Sequence, residues 1–109
     1  TTIGDKPALK LEGELNFDTA PRLRRELVKK IKNKEHDIVV DLQDLNFMDT
    51  CGLATLIETR QKADAYGGRV VIVGVSPMIR EVMQITRVED LFTVCDTPEE
   101  AEDVVKNAG

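Results

Sequence analysis

Two near-continuous aliphatic runs constrain the fold of this chain more than any other feature. Residues 38–42 read IVVDL and residues 70–73 read VVIV. A strand inside a parallel sheet is covered on both faces, so it lacks the alternation of polar and apolar residues that a half-exposed strand shows. We predict that these two runs are the central strands of such a sheet.

Shorter patterns predict the other strands. Leucines and charged residues alternate in residues 8–15, which is typical of a strand covered on one face. Residues 2–5 are expected to pair with this strand through a turn at Lys6-Pro7. A short last strand is predicted at residues 92–95.

Four helices are predicted from capping residues and apolar spacing. The first begins near Asp18 or Thr19, and the second lies between the aliphatic runs and ends at Gly67-Gly68. Ser76-Pro77 and Thr97-Pro98-Glu99-Glu100 each place a capping hydroxyl before a proline, and the latter segment is also a capping box. The side chains expected to face the core are Leu23, Leu27, Ile31, Leu53, Leu56, Ile57, Ala63, Ile79, Val82, Met83, Thr86, Ala101, Val104, Val105 and Ala108.

Strands and helices therefore alternate along the whole chain. Such alternation predicts an α/β fold with a small mixed sheet, about four helices and right-handed crossovers. A chain of 109 residues is long enough for one core without staples, so residues 1–109 are expected to form a single domain. The apolar runs are far shorter than the roughly 20 residues that cross a bilayer, and we expect no membrane insertion.

The charge balance argues against direct nucleic-acid binding. The chain has 15 basic and 20 acidic residues, a net charge of -5, and only four aromatic residues. The charges are also uneven, because residues 22–34 are rich in Arg and Lys whereas residues 96–103 are rich in acids. Either both runs are solvated helix faces, or the basic run attracts an acidic partner.

The residue inventory excludes several classes of enzyme. Ser76 is explained as a helix cap, and His36 lies in a charged turn, so no Ser-His arrangement is expected. Neither of the glycine-rich phosphate-binding motifs is present. Cys51 and Cys95 form no Cys-x-x-Cys pair, which predicts a reducing, cytoplasmic location without a structural metal. We expect a binding protein without a cofactor.

One segment, residues 49–53 (DTCGL), lies where the second strand region meets the second helix. Free backbone N–H groups and the helix dipole at such a junction favour a negative group. The structural interpretation is simpler: Asp49 or Thr50 is an N-cap, Cys51 fills space and Gly52 allows close packing.

Several segments together resemble a known family from end to end. They are Gly13-Glu14-Leu15-Asn16, Thr19-Ala20, Val40-Asp41-Leu42, Met48-Asp49-Thr50-Cys51-Gly52-Leu53 and Val75-Ser76-Pro77. The sequence is similar to the STAS domain of bacterial anti-sigma-factor antagonists. That resemblance implies a small sheet with helices packed mainly on one side. It also implies a regulator of transcription that binds an anti-sigma factor with a serine-kinase fold, and whose binding is switched off by phosphorylation at the start of the second helix.

This chain departs from the family at two positions. The residue before the glycine is the family's Ser or Thr phosphoacceptor, and here it is Cys51, which has no hydroxyl group. Asn16 stands where an Asp is often found. Thr50 carries a hydroxyl one position early, but adjacent helical residues point about 100° apart, so we do not favour it as a substitute acceptor. The resemblance implies that Asp49, Thr50, Cys51, Gly52 and Asn16 form the switch and partner-binding site.

Three functions remain open at this point. The leading hypothesis is a non-enzymatic antagonist that binds an anti-sigma factor or a related kinase-fold protein. The second is a STAS subunit of a transporter or lipid-transport complex, for which no phosphoacceptor is needed. The third is a thiol sensor at Cys51. It is less favoured, because the nearby carboxylate of Asp49 opposes formation of an anionic thiolate.

Overall fold

The computed structural model describes residues 2–3 and 6–106, which form one five-stranded sheet, four α-helices and a short 3-10 helix. In chain order these are β1 (Thr2–Ile3), β2 (Lys6–Leu15), α1 (Ala20–Lys32), β3 (Asp37–Met48), α2 (Thr50–Asp64), β4 (Arg69–Val73), α3 (Pro77–Ile85), the 3-10 helix (Glu89–Leu91), β5 (Thr93–Cys95) and α4 (Pro98–Lys106).

The sheet is mixed, as predicted. Its strand order follows the chain, from β1 at one edge to β5 at the other. β1 pairs antiparallel with β2, and every following pair is parallel. The carboxyl ends of β2, β3 and β4 therefore meet at one edge of the sheet, from which α1, α2 and α3 begin.

The two aliphatic runs do form the central strands. Residues 37–42 of β3 and 70–73 of β4 are all buried, and Ile38 lies opposite Val70. β3 continues to Met48, six residues beyond the predicted run. The extension was not visible as a pattern because its pairing with β2 shifts register between Lys10 and Glu12 and again after Gly13, which breaks the two-residue period.

Helices cover both faces of the sheet unequally. α1, α2 and α3 pack on one face, around side chains such as Leu27, Leu56 and Ile79. α4 covers the other face alone, with Ala101 and Val105 against Val39, Val71 and Val73 of the sheet. Among the described residues, no helix is both long and apolar enough to cross a lipid bilayer.

The N-terminal strand pairing differs from the prediction. Thr2 lies opposite Pro7 and Ile3 opposite Lys6, so Lys6 and Pro7 belong to β2 and do not form a turn. Pro7 is tolerated because it is the second residue of β2, before the pairing with β3 begins at Ala8, so its missing N–H removes little of the ladder. Residues 4 and 5, which were expected to pair as well, lie outside the described residues.

Two helix predictions and one strand boundary are also corrected. Thr19 is the N-cap of α1, but its hydroxyl binds Asn16 N–H and Glu14 C=O instead of capping the helix. Thr86 is exposed, because α3 ends at the preceding residue. Phe92 precedes β5 and packs into the core.

At α4 the capping box is present with one change: Glu100 accepts the N–H of Asp96, not that of Thr97. Ala108 lies outside the described residues.

Candidate functional site

The site is built around Asp49, the residue between β3 and α2. Its Oδ1 accepts the backbone N–H of Gly52 at 3.0 Å, which caps α2. Its Oδ2 accepts the N–H of Phe17 at 3.1 Å, and its own N–H donates to the carbonyl of Leu15 at 3.0 Å. One residue therefore joins the start of α2 to the loop between β2 and α1.

Asn16 organises that loop. Its Oδ1 accepts the N–H groups of Asp18 at 2.9 Å and Thr19 at 3.2 Å, as in an Asx turn. Its backbone carbonyl accepts the N–H of Ala20 at 2.7 Å. A carboxylate could accept the same bonds, so asparagine preserves the loop geometry while removing one negative charge.

Gly52 is required by close packing. A Cβ at this position would lie 2.6 Å from Cγ of the buried Leu15, well inside van der Waals contact. The glycine therefore lets α2 start against the end of β2. Among the residues predicted for the site, it has the clearest structural role.

Thr50 and Cys51 are exposed in the first turn of α2, and Cys51 has a free thiol. The backbone carbonyl of Cys51 accepts the hydroxyl of Thr55 at 3.0 Å. The structure thus brings Asp49, Thr50, Cys51 and Gly52 together and connects them, through the Phe17 hydrogen bond, to the loop that begins at Asn16.

A shallow groove of about 360 Å³ lies beside Cys51, between the starts of α1 and α2. Its lining residues are Phe17, Ala20, Pro21, Arg24, Cys51, Ala54 and Thr55. The lining residues contributed by α1 and by the loop before it were not predicted from the sequence. Phe17, an isolated aromatic residue between Asn16 and Asp18, was the one local signal for them.

One ion pair connects the two helices, and a second lies within α2. The Arg24 guanidinium lies 3.1 Å from Glu58 Oε2, and Lys62 Nζ lies 3.0 Å from Glu58 Oε1. The hydrogen bond from Lys62, assisted by the charge of Arg24, lowers the pKa of Glu58. Both side chains of the Arg24–Glu58 pair are partly exposed, so the pair adds a modest contact between α1 and α2.

Exposed apolar side chains surround this edge of the sheet. Phe17 is 74% exposed, Phe47 42% and Met78 58%. Phe17 follows β2, Phe47 is the last residue but one of β3, and Met78 is the second residue of α3, which follows β4. Exposed large apolar side chains of this kind occur at protein-binding surfaces.

Known proteins are similar to this chain in both sequence and fold. The family model for the STAS domain matches residues 2–101. An anti-sigma-B factor antagonist of Staphylococcus aureus is 33% identical over 95 residues, covering 86% of this chain and 88% of that protein.

Solved structures show the same architecture. The anti-sigma factor antagonist SpoIIAA, in its unphosphorylated form, is 26% identical with a TM-score of 0.74, covering 92% of this chain and 88% of that one. The phosphorylated form, from Bacillus, has a TM-score of 0.71 at 26% identity and covers 90% and 88%. A sulfate transporter family protein from Wolinella succinogenes shares the fold, with a TM-score of 0.79, 20% identity and coverage of 91% and 83%. The chain described here belongs to the STAS domain family.

Proposed function

We propose that this chain is an anti-sigma-factor antagonist that acts in the cytoplasm as a binding module without enzymatic activity. Its partner is an anti-sigma factor or a related protein with a serine-kinase fold. The partner surface consists of Asp49, Thr50, Cys51 and the adjacent groove.

The observation that carries the proposal is the exposed surface at the start of α2. Cys51 lies in the first turn of α2 beside an open groove, with the 74% exposed Phe17 at its rim. The two hydrogen bonds of Asp49 tie the start of α2 to the loop of Phe17, and such preorganisation lowers the entropic cost of binding. Curated relatives that are named as anti-sigma-B factor antagonists support the choice of partner.

A charge at Cys51 tests the position of the interface. Cys51→Glu places a carboxylate at the centre of the surface, where desolvation and repulsion are expected to weaken binding by about tenfold or more. Gln61→Glu is the matched control, because it makes the same change on an exposed residue ten positions, or about 15 Å, further along α2. Calorimetric titration with the kinase-fold anti-sigma factors of the source organism measures both. Unchanged affinity of a folded Cys51→Glu variant would show that the interface lies elsewhere.

A second candidate function is a STAS subunit of a transporter or lipid-transport complex. The observation that favours it is Cys51, since a subunit of a fixed assembly needs no phosphoacceptor. Capture of transporter subunits from a native lysate, together with no binding to purified anti-sigma factors, would support this alternative.

A further inference from the structure

The outer face of α1 is a row of basic side chains. Arg22, Arg25, Lys29 and Lys32 follow each other at spacings of three and four residues, so they lie within about 80° of one another around the helix. All four are exposed. The row is on the side opposite the buried Leu27, and extends about 15 Å along the helix axis.

This row contrasts with the charge of the rest of the chain. α1 contains six of the 15 basic residues but only one of the 20 acidic ones, Glu26. The helix therefore carries a net charge of +5, and the remainder of a chain whose total is -5 carries -10. The positive charge is a local feature of one helix face.

The row is only partly neutralised by the domain's own carboxylates. The two basic residues of α1 outside the row are paired, Arg24 with Glu58 at 3.1 Å and Lys30 with Glu35 at 3.4 Å. On the outer row, Lys29 reaches Glu26 at 3.3 Å, an exposed pair worth little in water.

Within residues 2–3 and 6–106, Arg22, Arg25 and Lys32 have no carboxylate within 4.0 Å. Three cations on the outer row thus remain available to another molecule.

The row begins in the first turn of α1, next in the chain to two residues of the proposed partner surface. Pro21 and Arg24 of α1 line the groove that contains Cys51, and Arg22 begins the row between them in the chain. A protein seated over Cys51 would meet the first turn of α1, and the row leads from there along the helix.

We propose that the basic row of α1 docks an acidic segment of the same protein that binds at Cys51. The inference rests on the proposed function and adds the chemistry of the partner. The partner would have an apolar surface that contacts Phe17 and, beside it, a run of carboxylates about 15 Å long. Charge complementarity at such a rim accelerates association and makes it depend on salt.

An anionic membrane fits the row less well. A helix that lies on a bilayer inserts an apolar face between the lipids. The apolar face of α1, including Leu23 and Leu27, is already buried against the sheet. The net charge of -10 outside α1 would also be repelled by anionic headgroups.

Charge reversal on the row tests the inference. Arg25→Glu/Lys29→Glu should slow association with the purified kinase-fold anti-sigma factor at least about tenfold at low ionic strength and flatten its salt dependence. Lys6→Glu/Arg60→Glu is the matched control, because it changes the net charge equally away from α1. Arg60 lies about 200° around α2 from Glu58, the residue that faces α1. The control should retain the wild-type rate within about threefold, since it shifts only the overall charge.

Stopped-flow association, with circular dichroism to confirm folding, separates the outcomes. If Arg25→Glu/Lys29→Glu binds like wild type while Cys51→Glu does not bind, the row is not a docking surface although the proposed function stands. If wild type binds no anti-sigma factor, both fail. Binding of wild type to phosphatidylglycerol vesicles, lost in the row variant, would overturn the inference in favour of a membrane.

Discussion

The carboxylate of Asp49 accepts a hydrogen bond from the backbone N–H of Phe17, which lies 32 residues earlier in the chain. The same carboxylate caps α2 through Gly52. The Asp49 side chain therefore links the segment of the exposed Phe17 ring to the helix that carries the exposed thiol of Cys51. The geometry of this surface depends on that one side chain.

We expect Asp49→Ala to lower the free energy of unfolding by about 1–3 kcal/mol, because it removes a helix cap and leaves two N–H groups without their acceptor. Urea denaturation measures the loss, and hydrogen exchange at Phe17 should accelerate. Asp18→Ala, an exposed change in the adjacent loop, is the control and should stay within about 0.5 kcal/mol of wild type. Equal losses in the two variants would contradict the role of Asp49.

Gly52→Ala should destabilise the domain by about 1–3 kcal/mol, because the added methyl overlaps the side chain of Leu15. Leu15→Ala makes room for it, so the double variant should lose less than the two single variants together. Thermal or urea unfolding of all four proteins completes the cycle. Strict additivity would show that the two residues do not compete for the same space.

Cys51→Ser should create a phosphoacceptor. Oxygen replaces sulfur with little change in size, and the N-terminus of α2 favours the incoming phosphate. After incubation with the kinase partner and ATP, intact mass should show one added phosphate on the variant and none on wild type or on Cys51→Ala. A wild-type protein fully phosphorylated at Thr50 would disprove the loss of the switch.

Cys95 should make the domain less stable at alkaline pH. Burial is the main cause that raises the pKa of its thiol above the ordinary value of 9.0, and the carboxylate of Glu100 acts in the same direction. The unfolded thiol ionises first, so this contribution to stability is complete below the unfolded pKa and is lost as the pH rises through the folded value. We expect the free energy of unfolding, measured with urea under reducing conditions from about pH 7 to 10, to fall less steeply for Cys95→Ala than for wild type.

Alkylation gives an independent readout of Cys95. Iodoacetamide should modify the exposed Cys51 well before the buried Cys95. Parallel stability curves for wild type and Cys95→Ala, or equal alkylation of the two thiols, would refute the assignment.

Arg69→Met should be the most destabilising of these changes. Arg69 Nε lies 2.6 Å from Oδ1 of Asp37, whose side chain is only 4% exposed, and its Nη2 donates to the carbonyl of Val104. Removal of the guanidinium leaves a buried carboxylate without its cation, at a cost of about 3–5 kcal/mol. Arg25→Met, on the exposed row, should change stability by less than about 0.5 kcal/mol. Similar losses in both variants would contradict the importance of the pair.

The fold was largely predictable because strands that are buried on both faces consist almost entirely of aliphatic residues. β3 and β4 were visible as aliphatic runs, and the starts of α3 and α4 as capping residues followed by proline. The later half of β3 was not visible, since its register shifts against β2 break the alternation on which strand prediction depends. The Lys6-Pro7 turn was predicted wrongly because a proline at the start of a strand has the same local sequence signal as a turn.

The site was predictable only where its contacts are local. The cap from Asp49 to Gly52 spans three residues and follows from helix rules, whereas the bond from Asp49 to Phe17 depends on which strands are neighbours. The groove was invisible for the same reason. Its two walls come from helices that are separated in the chain by the whole of β3.

The positions of α1 and α4 on opposite faces of the sheet have a consequence for how this domain meets other molecules. α1 is strongly basic, whereas the first turn of α4 begins with Glu99 and Glu100. Two opposite charge concentrations on either side of a rigid sheet make an electric dipole, and an approaching charged surface exerts a torque on it. Within about a Debye length, the domain should therefore favour orientations that present α1 to an acidic surface. Its orientation on arrival is set by the sheet that separates the two helices.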